Sequence, residues 1–416
     1  MKKNKINLFF ENNGVKQSVI NRNPYLNAIP SGIVSRVIIS PHGSHPAESY
    51  FGVGAGQFFN RFNAHASVPP DKKFYYPIIY SLSQLVNYVD KLSIPKFILQ
   101  SINKGFCKIL IVCSYEGWPW NMYDALIEPL ADRYNIPLDK FVVMTGNITK
   151  STKYKSVYFS NWEVSPRHRK TGTDLKLGYD AIFNRSHPRK YKFICLNRRA
   201  THHRFAGVTK FFPFRDQGLL SFGQVGHGET NKLQYYNYQK DDFAKDYPRT
   251  YQQWNKLKIE SHLPLVLPKD IDPYDITDHN VNPTDDQFPN KFYDSYLNIT
   301  SETTVKDTGF FSEKMFKSVI YFQPFVLIGQ PHALEFFKNL GYKTFSDVID
   351  ESYDNELNNE LRLEMASNAA YKFINRNDLD KVMKDLWPIF EHNYNNFVKR
   401  FDTAFIELTD GLRQSL

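Results

Sequence analysis

Three cysteines in 416 residues are too few for a disulfide framework. Cys107, Cys113 and Cys195 are also spaced too irregularly for a structural zinc site. All three fall in apolar, strand-like runs, which predicts buried thiols and a reducing compartment. The chain also lacks any uncharged apolar run long enough to cross a bilayer, so no transmembrane segment is expected. Lys2, Lys3 and Lys5 precede the apolar patch Ile6-Leu8-Phe9-Phe10, but the patch stops at Glu11, too short for the core of a signal peptide. The chain is therefore expected to be soluble and cytoplasmic. No internal repeat is evident. Pro41-His42-Gly43-Ser44-His45 holds hydrolase residue types without the spacing of a nucleophile elbow, and reads as a loop.

A chain of this length exceeds what one hydrophobic core usually serves, so two domains are the starting expectation. Hydrophobic residues make up 42% of it, enough for ordinary cores, and 34 Phe and 26 Tyr serve chiefly as core filling. A net charge of +9 favours polyanionic partners, among them nucleotide-sugars, nucleic acid and anionic membrane surfaces.

Short, continuously apolar runs at residues 32–40, 108–113, 140–145, 192–196 and 325–328 read as strands of parallel sheets buried on both faces. Between them lie helical patterns such as Met122–Tyr134, and the alternation argues for α/β architecture. A basic, Pro- and Gly-bearing stretch over residues 165–190 is the best domain boundary, and residues 264–289 read as a surface excursion. From about Asn355 the chain is helical. Leu379, Val382, Met383, Leu386, Ile389, Phe390, Tyr394, Phe397, Val398 and Phe401 form a core-facing stripe, and Pro388 is the expected kink.

The densest chemistry lies between Tyr296 and Gly329. An extended run ends in Thr300-Ser301-Glu302-Thr303-Thr304. Ser312 then reads as the N-cap of an amphipathic helix, with Glu313 and Lys314 in its first turn and Phe316, Val319 and Ile320 facing the core. Pro331 suits the first turn of a following helix closed by Gly341. A carboxylate there can accept from both ribose hydroxyls while the ammonium meets a phosphate; the plain alternative is a dipole-complementing Glu313 beside a solvated Lys314. A second cluster, Asn197-Arg198-Arg199-Ala200-Thr201-His202-His203-Arg204, follows a strand and opens a helix. Its forked donors suit a diphosphate. Adjacent histidines rarely face one ion, and no carboxylate stands near them in sequence, so no metal is expected.

Glu302, then Phe311-Ser312-Glu313-Lys314, then Pro324-Phe325 and Gly329 together resemble the donor-binding motif of the α1,3-fucosyltransferase family. The asparagine-led loop ending in arginine resembles that family's phosphate loop. The likeness covers roughly residues 190–345, with Ser312 standing where the family has Thr. Gly341–Phe345 and Ile349-Asp350-Glu351-Ser352-Tyr353-Asp354 bring the chain closer still to fucosyltransferase-like proteins of phages, giant viruses and marine bacteria. The resemblance implies a GT-B fold, with two Rossmann-like domains facing across a cleft and C-terminal helices. It implies an acceptor-side domain over 1–185, a nucleotide-sugar domain over 186–354 and helices over 355–416 packing on both. It further implies an inverting, metal-independent transfer from a nucleoside-diphosphate sugar, a GDP-sugar favoured, with no other cofactor. Glu313 would hold the ribose and Lys314 and Arg204 the diphosphate, with Asn197, Arg198, Thr303 and Ser312 alongside and Glu302 against the sugar. For a viral chain the compartment would be the host cytoplasm.

Inverting transfer needs a base for the acceptor hydroxyl. Glu116, in Cys113-Ser114-Tyr115-Glu116-Gly117-Trp118-Pro119-Trp120 just after a strand, is the candidate, with Trp118 and Trp120 placed to stack on a ring; Glu163 is the second choice. The acceptor is a glycan or another hydroxyl. A basic run through Arg167, Arg169, Lys170, Arg185, Arg189, Lys190 and Lys192 leaves open a DNA partner, as in a transferase acting on a hydroxymethylated base. A non-catalytic sugar- or nucleic-acid-binding protein on the same fold is the other alternative. Gly52, Gly54 and Gly56 resemble a phosphate turn without a clear strand-helix context, and Asp270-Ile271-Asp272 matches a metal motif that arises by chance in Asp-rich sequence.

Overall fold

The computed structural model of the protein describes residues 6–9, 62–65, 72–79, 89, 92–114, 117–164, 175–197, 200–222, 240–265, 267, 290–305 and 308–416. The expected strand at 32–40, the histidine loop at 41–45, the glycines at 52–56, the Asp-x-Asp motif, Arg198, Arg199 and the candidate base Glu116 lie outside the described residues. The chain divides into two compact units. One comprises Met1–Pro166, Asp307–Phe310 and Arg400–Leu416; the other comprises Arg167–Lys306 and Phe311–Lys399.

The first unit holds β1 (Ile6–Phe9), β2 (Phe62–His65), β3 (Phe74–Ile79), α1 (Lys96–Asn103), β4 (Cys107–Cys113), α2 (Trp120–Tyr134), β5 (Phe141–Thr145), β6 (Lys155–Tyr158) and the short α3 (Asn161–Val164). Its strands form one parallel sheet in the order β2-β1-β3-β4-β5-β6. The apolar runs of β4 and β5 sit in register, Ile109 beside Phe141 and Val112 beside Met144, and are buried. Period-two alternation is missing from them because apolar side chains cover both faces. Ile98 and Ile102 of α1 and Tyr123, Leu126, Ile127 and Leu130 of α2 fill one core with the sheet. The apolar patch at Ile6–Phe9 is itself a strand, β1, paired with β2 and β3.

The second unit holds α4 (Leu175–Phe183), β7 (Tyr191–Asn197), α5 (His202–Phe211), β8 (Gly218–Phe222), α6 (Pro248–Lys256), β9 (Ser295–Ser301), α7 (Glu313–Ile320), β10 (Phe325–Ile328), α8 (Ala333–Asn339), α9 (Asn359–Ile374) and α10 (Leu379–Asp385). Its sheet is parallel in the order β10-β9-β7-β8. The architecture is thus α/β with two parallel, Rossmann-like sheets. All three cysteines are free and buried. Among the described residues no helix is long and apolar enough to cross a membrane.

The last helix, α11 (Trp387–Ser415), contributes its first half to the second unit and its last half to the first. Pro388 does not kink a helix; α10 stops at Asp385 and Pro388 lies in the first turn of α11, where a missing N–H costs nothing. The apolar stripe is buried at Leu379, Val382, Met383, Leu386, Phe390 and Phe397, but Val398 is exposed, one step off the covered face. In the first unit, Phe405 packs on Phe159 with ring centroids 5.0 Å apart, and the Tyr75 hydroxyl donates to the Leu412 carbonyl at 2.7 Å.

Candidate functional site

The carboxyl ends of β7, β9 and β10 bring the two motifs together. Asn197 closes β7, and α5 follows with Thr201 at its N-cap and His203 and Arg204 in its first turn, both buried. Ser301 closes β9, and the Glu302 N–H extends the ladder to the Ile328 carbonyl at 3.0 Å. His203 Nε2 donates to the Glu302 carbonyl at 2.7 Å, tying the start of α5 to the exit of β9. Burial, aided by His202, Arg204 and Lys314, holds the His203 pKa well below its usual value, so the ring is neutral and its one N–H is the donor.

Glu302 is fully buried, and its carboxylate points inward. It accepts from the Ser312 N–H (3.2 Å to either oxygen), the Ser312 hydroxyl (2.6 Å) and the Thr303 N–H (3.1 Å). Burial raises its pKa, opposed by the nearby Lys314 charge and the Ser312 donors. The fully buried carboxylate thereby closes the base of the 302–312 loop. Ser312 caps α7 as its sequence predicts, its hydroxyl accepting from the Lys314 N–H at 3.4 Å. Lys314 Nζ lies 2.9 Å from Glu313 Oε1 and 3.4 Å from Ser312 Oγ. Neither side chain is solvated: Lys314 is 8% exposed and Glu313 3%. The whole of α7 is buried, Lys317 and Ser318 included, so the amphipathic pattern does not mark a solvent face.

Two helix starts, those of α5 and α7, therefore meet beside β9, each carrying a buried cation in its first turn. The helix dipoles add positive potential there, the arrangement that receives anions in α/β proteins. Arg362 of α9 completes the frame. Its guanidinium donates to the carbonyls of Gly329 (3.0 Å), Glu356 (2.8 Å) and Val305 (3.4 Å), holding the end of β10 to the 302–312 loop. Nothing in its local sequence distinguishes Arg362 from a solvated helix residue. Two of the carbonyls it clamps, those of Gly329 and Val305, lie far away in sequence.

Other expectations meet differences. Glu163 is buried in a two-point contact with Arg400, Nε–Oε1 2.7 Å and Nη2–Oε2 3.2 Å, which leaves no room for an acceptor hydroxyl. Trp118 and Trp120 pack against Tyr123, with centroids at 6.1 and 5.1 Å, on the flank of the first core. The Asp246 carboxylate comes within 3.8 Å of His202 Nε2, a companion the sequence neighbourhood did not reveal. Of the basic run, Arg185 bonds Asp294 at 2.6 Å and Arg189 is buried against the carbonyls of Tyr293 and Ser295. These two cations serve the fold and do not line a track for a nucleic-acid backbone. Among the described residues no cluster of three or more His, Cys, Asp or Glu could hold a metal ion. A concavity of about 270 Å³, lined by Lys210, Gln253, Glu364, Ser367, Asn368 and Tyr371, lies at the far end of α5 from this site.

No family model matches the chain, and no curated protein or solved structure matches it.

Proposed function

We propose that the protein is an inverting, metal-independent glycosyltransferase of the GT-B type. It takes a sugar from a nucleoside-diphosphate donor, a GDP-sugar by resemblance, and passes it to a glycan or other hydroxyl acceptor. The observation that carries this reading is the meeting of two helix starts beside β9, with Arg204 and Lys314 buried in their first turns. A diphosphate is the ligand such a site neutralises best. On binding, Lys314 exchanges its Glu313 partner for phosphate oxygens, and the released carboxylate accepts from the ribose hydroxyls. The acceptor oxygen then attacks the anomeric carbon while the bond from that carbon to the phosphate oxygen breaks. The electron pair leaves with the nucleoside diphosphate, where Arg204, Lys314 and the helix N–H groups offset its charge. Glu116 takes the acceptor's proton.

A thermal-shift panel of UDP, GDP, ADP, CMP and dTDP with their sugars tests the donor class, with chelator present throughout. One nucleotide series is expected to stabilise the protein, by about 2.7 kcal/mol at a hundredfold excess over its dissociation constant. A flat panel overturns the reading. Steeply salt-dependent DNA binding would favour a DNA acceptor instead.

A further inference from the structure

Beneath the start of α5 lies a buried polar floor built by the second unit alone. Asn197 closes β7, Ser301 closes β9, and both are buried. The ladder pairs Ile194 with Asn298, so three residues further along both strands Asn197 and Ser301 stand side by side. Both face α5. Phe193, on the same side of β7 as Asn197, packs on Phe211 of α5 with ring centroids 5.6 Å apart. A Cβ placed on Gly207 of α5 would lie 3.6 Å from Ser301 Oγ. Arg204, one turn earlier on that face of the helix, is buried as well, and its charge acts on the Cys195 thiol.

The floor holds polar atoms that the protein does not fill. Among the described residues, neither Asn197 Oδ1 nor Ser301 Oγ has a hydrogen-bond partner. The other end of the Asn197 amide, Nδ2, lies 3.2 Å from Cys195 Sγ. Both ends are badly served in that setting: a donor is spent on sulfur, a weak acceptor, and a strong acceptor is left bare. Cys195 also has a proton of its own to give, since burial pushes its pKa up to about 12. The two ends of an amide have the same shape, and their partners decide which faces which. With the carbonyl turned to Cys195, the thiol donates to the better acceptor and an N–H is freed on the side of α5. A donor there suits an anion, whereas a bare carbonyl oxygen would repel one.

We propose that the Cys195 thiol is a positioning residue that holds the Asn197 amide by its oxygen, so that the Asn197 NH2 group donates to a phosphate oxygen of the bound nucleoside diphosphate. The inference rests on the nucleotide-sugar reading. It adds to that reading a buried strand residue that touches no ligand and yet decides which end of the amide the anion meets.

The test uses the full chain and two measurements. The first is the S–H stretching band of Cys195, isolated as the infrared difference between wild type and Cys195→Ala. A donating thiol absorbs at lower frequency than a free one, so the band is expected to move up in Asn197→Ala. The second is calorimetric affinity for inorganic pyrophosphate and for the nucleoside diphosphate selected by the thermal-shift panel. Asn197→Ala is expected to weaken both about 10-fold, and Asn197→Asp, which sets a carboxylate against the phosphate, about 100-fold. Cys195→Ala should lose about threefold, and Cys195→Ser, which keeps a donor for the amide oxygen, should recover it. An S–H band that ignores Asn197→Ala, or wild-type affinity in Asn197→Asp, overturns the inference and leaves the function standing. A wild-type chain that binds neither ligand overturns the function and the inference with it.

Discussion

Among the described residues each unit buries one carboxylate completely, and the two are treated in opposite ways. In the first unit Glu163 faces a guanidinium. Burial alone would pull the Arg400 pKa down, but Glu163 and Glu407 more than offset it and hold the charge on. In the second unit Glu302 faces neutral donors, a hydroxyl and peptide N–H groups, and its pKa is pushed up. Charge answered by charge makes a closed structural joint that has nothing left for a ligand. Charge answered chiefly by dipoles organises a loop, while Lys314 acts on Glu302 from nearby and takes Glu313 as its own partner. Burial of an ionisable group is therefore a poor marker of a site until its partner is known.

The largest effect expected from this contrast is on stability. Glu163→Ala removes the buried partner of Arg400, leaves it the half-exposed Glu407 and should cost about 3 kcal/mol in a denaturant titration. Nucleotide affinity should be untouched; a loss of affinity with little loss of stability would reverse the assignment of the two carboxylates. Next come the ligand-facing groups. Arg204→Ala and Glu313→Ala should each weaken nucleoside-diphosphate binding about 10- to 100-fold in calorimetry, as expected for charge-assisted bonds. Unchanged affinity in both variants would remove the site.

The smallest effect is a pH dependence. Folding keeps His203 neutral, while the unfolded chain takes up the proton near pH 6.5. Its contribution is complete above that value and drains as pH falls, by about 1.4 kcal/mol per unit, until the folded ring is protonated too. Glu302 works with the opposite sign, its raised pKa favouring the folded state at low pH and losing that contribution as pH rises. His203→Gln retains an N–H for the Glu302 carbonyl and cannot titrate. The difference between its stability profile and that of the wild type isolates the imidazole, and parallel profiles would show that His203 carries no such burden.

Four strands were legible as continuously apolar runs, although the equally buried β3 was not. β4, β5, β7 and β10 lie within a residue of the apolar runs that announce them, because continuous apolar sequence has few other homes. The four-residue strand β1 was read only as a patch too short for a leader, since its pairing with β2 joins segments more than fifty residues apart. The Ser312 cap was legible because capping is local chemistry. The inward turn of Glu302 and the Arg362 clamp were not. Each depends on carbonyls and N–H groups brought from distant sequence, and such partners leave no periodic trace. α7 misled for a related reason: its polar side chains look solvated until the loops that cover them are placed.

The last half of α11 completes the core of the unit that begins with β1, through Phe405 on Phe159 and Leu412 beneath Tyr75. Residues synthesised first thus wait for residues more than two hundred positions downstream before their apolar surface is closed. A fragment ending near Pro166 would carry an open trough where α11 belongs. Any attempt to express that unit alone, or to graft it onto another second unit, has to carry Arg400–Leu416 along with it.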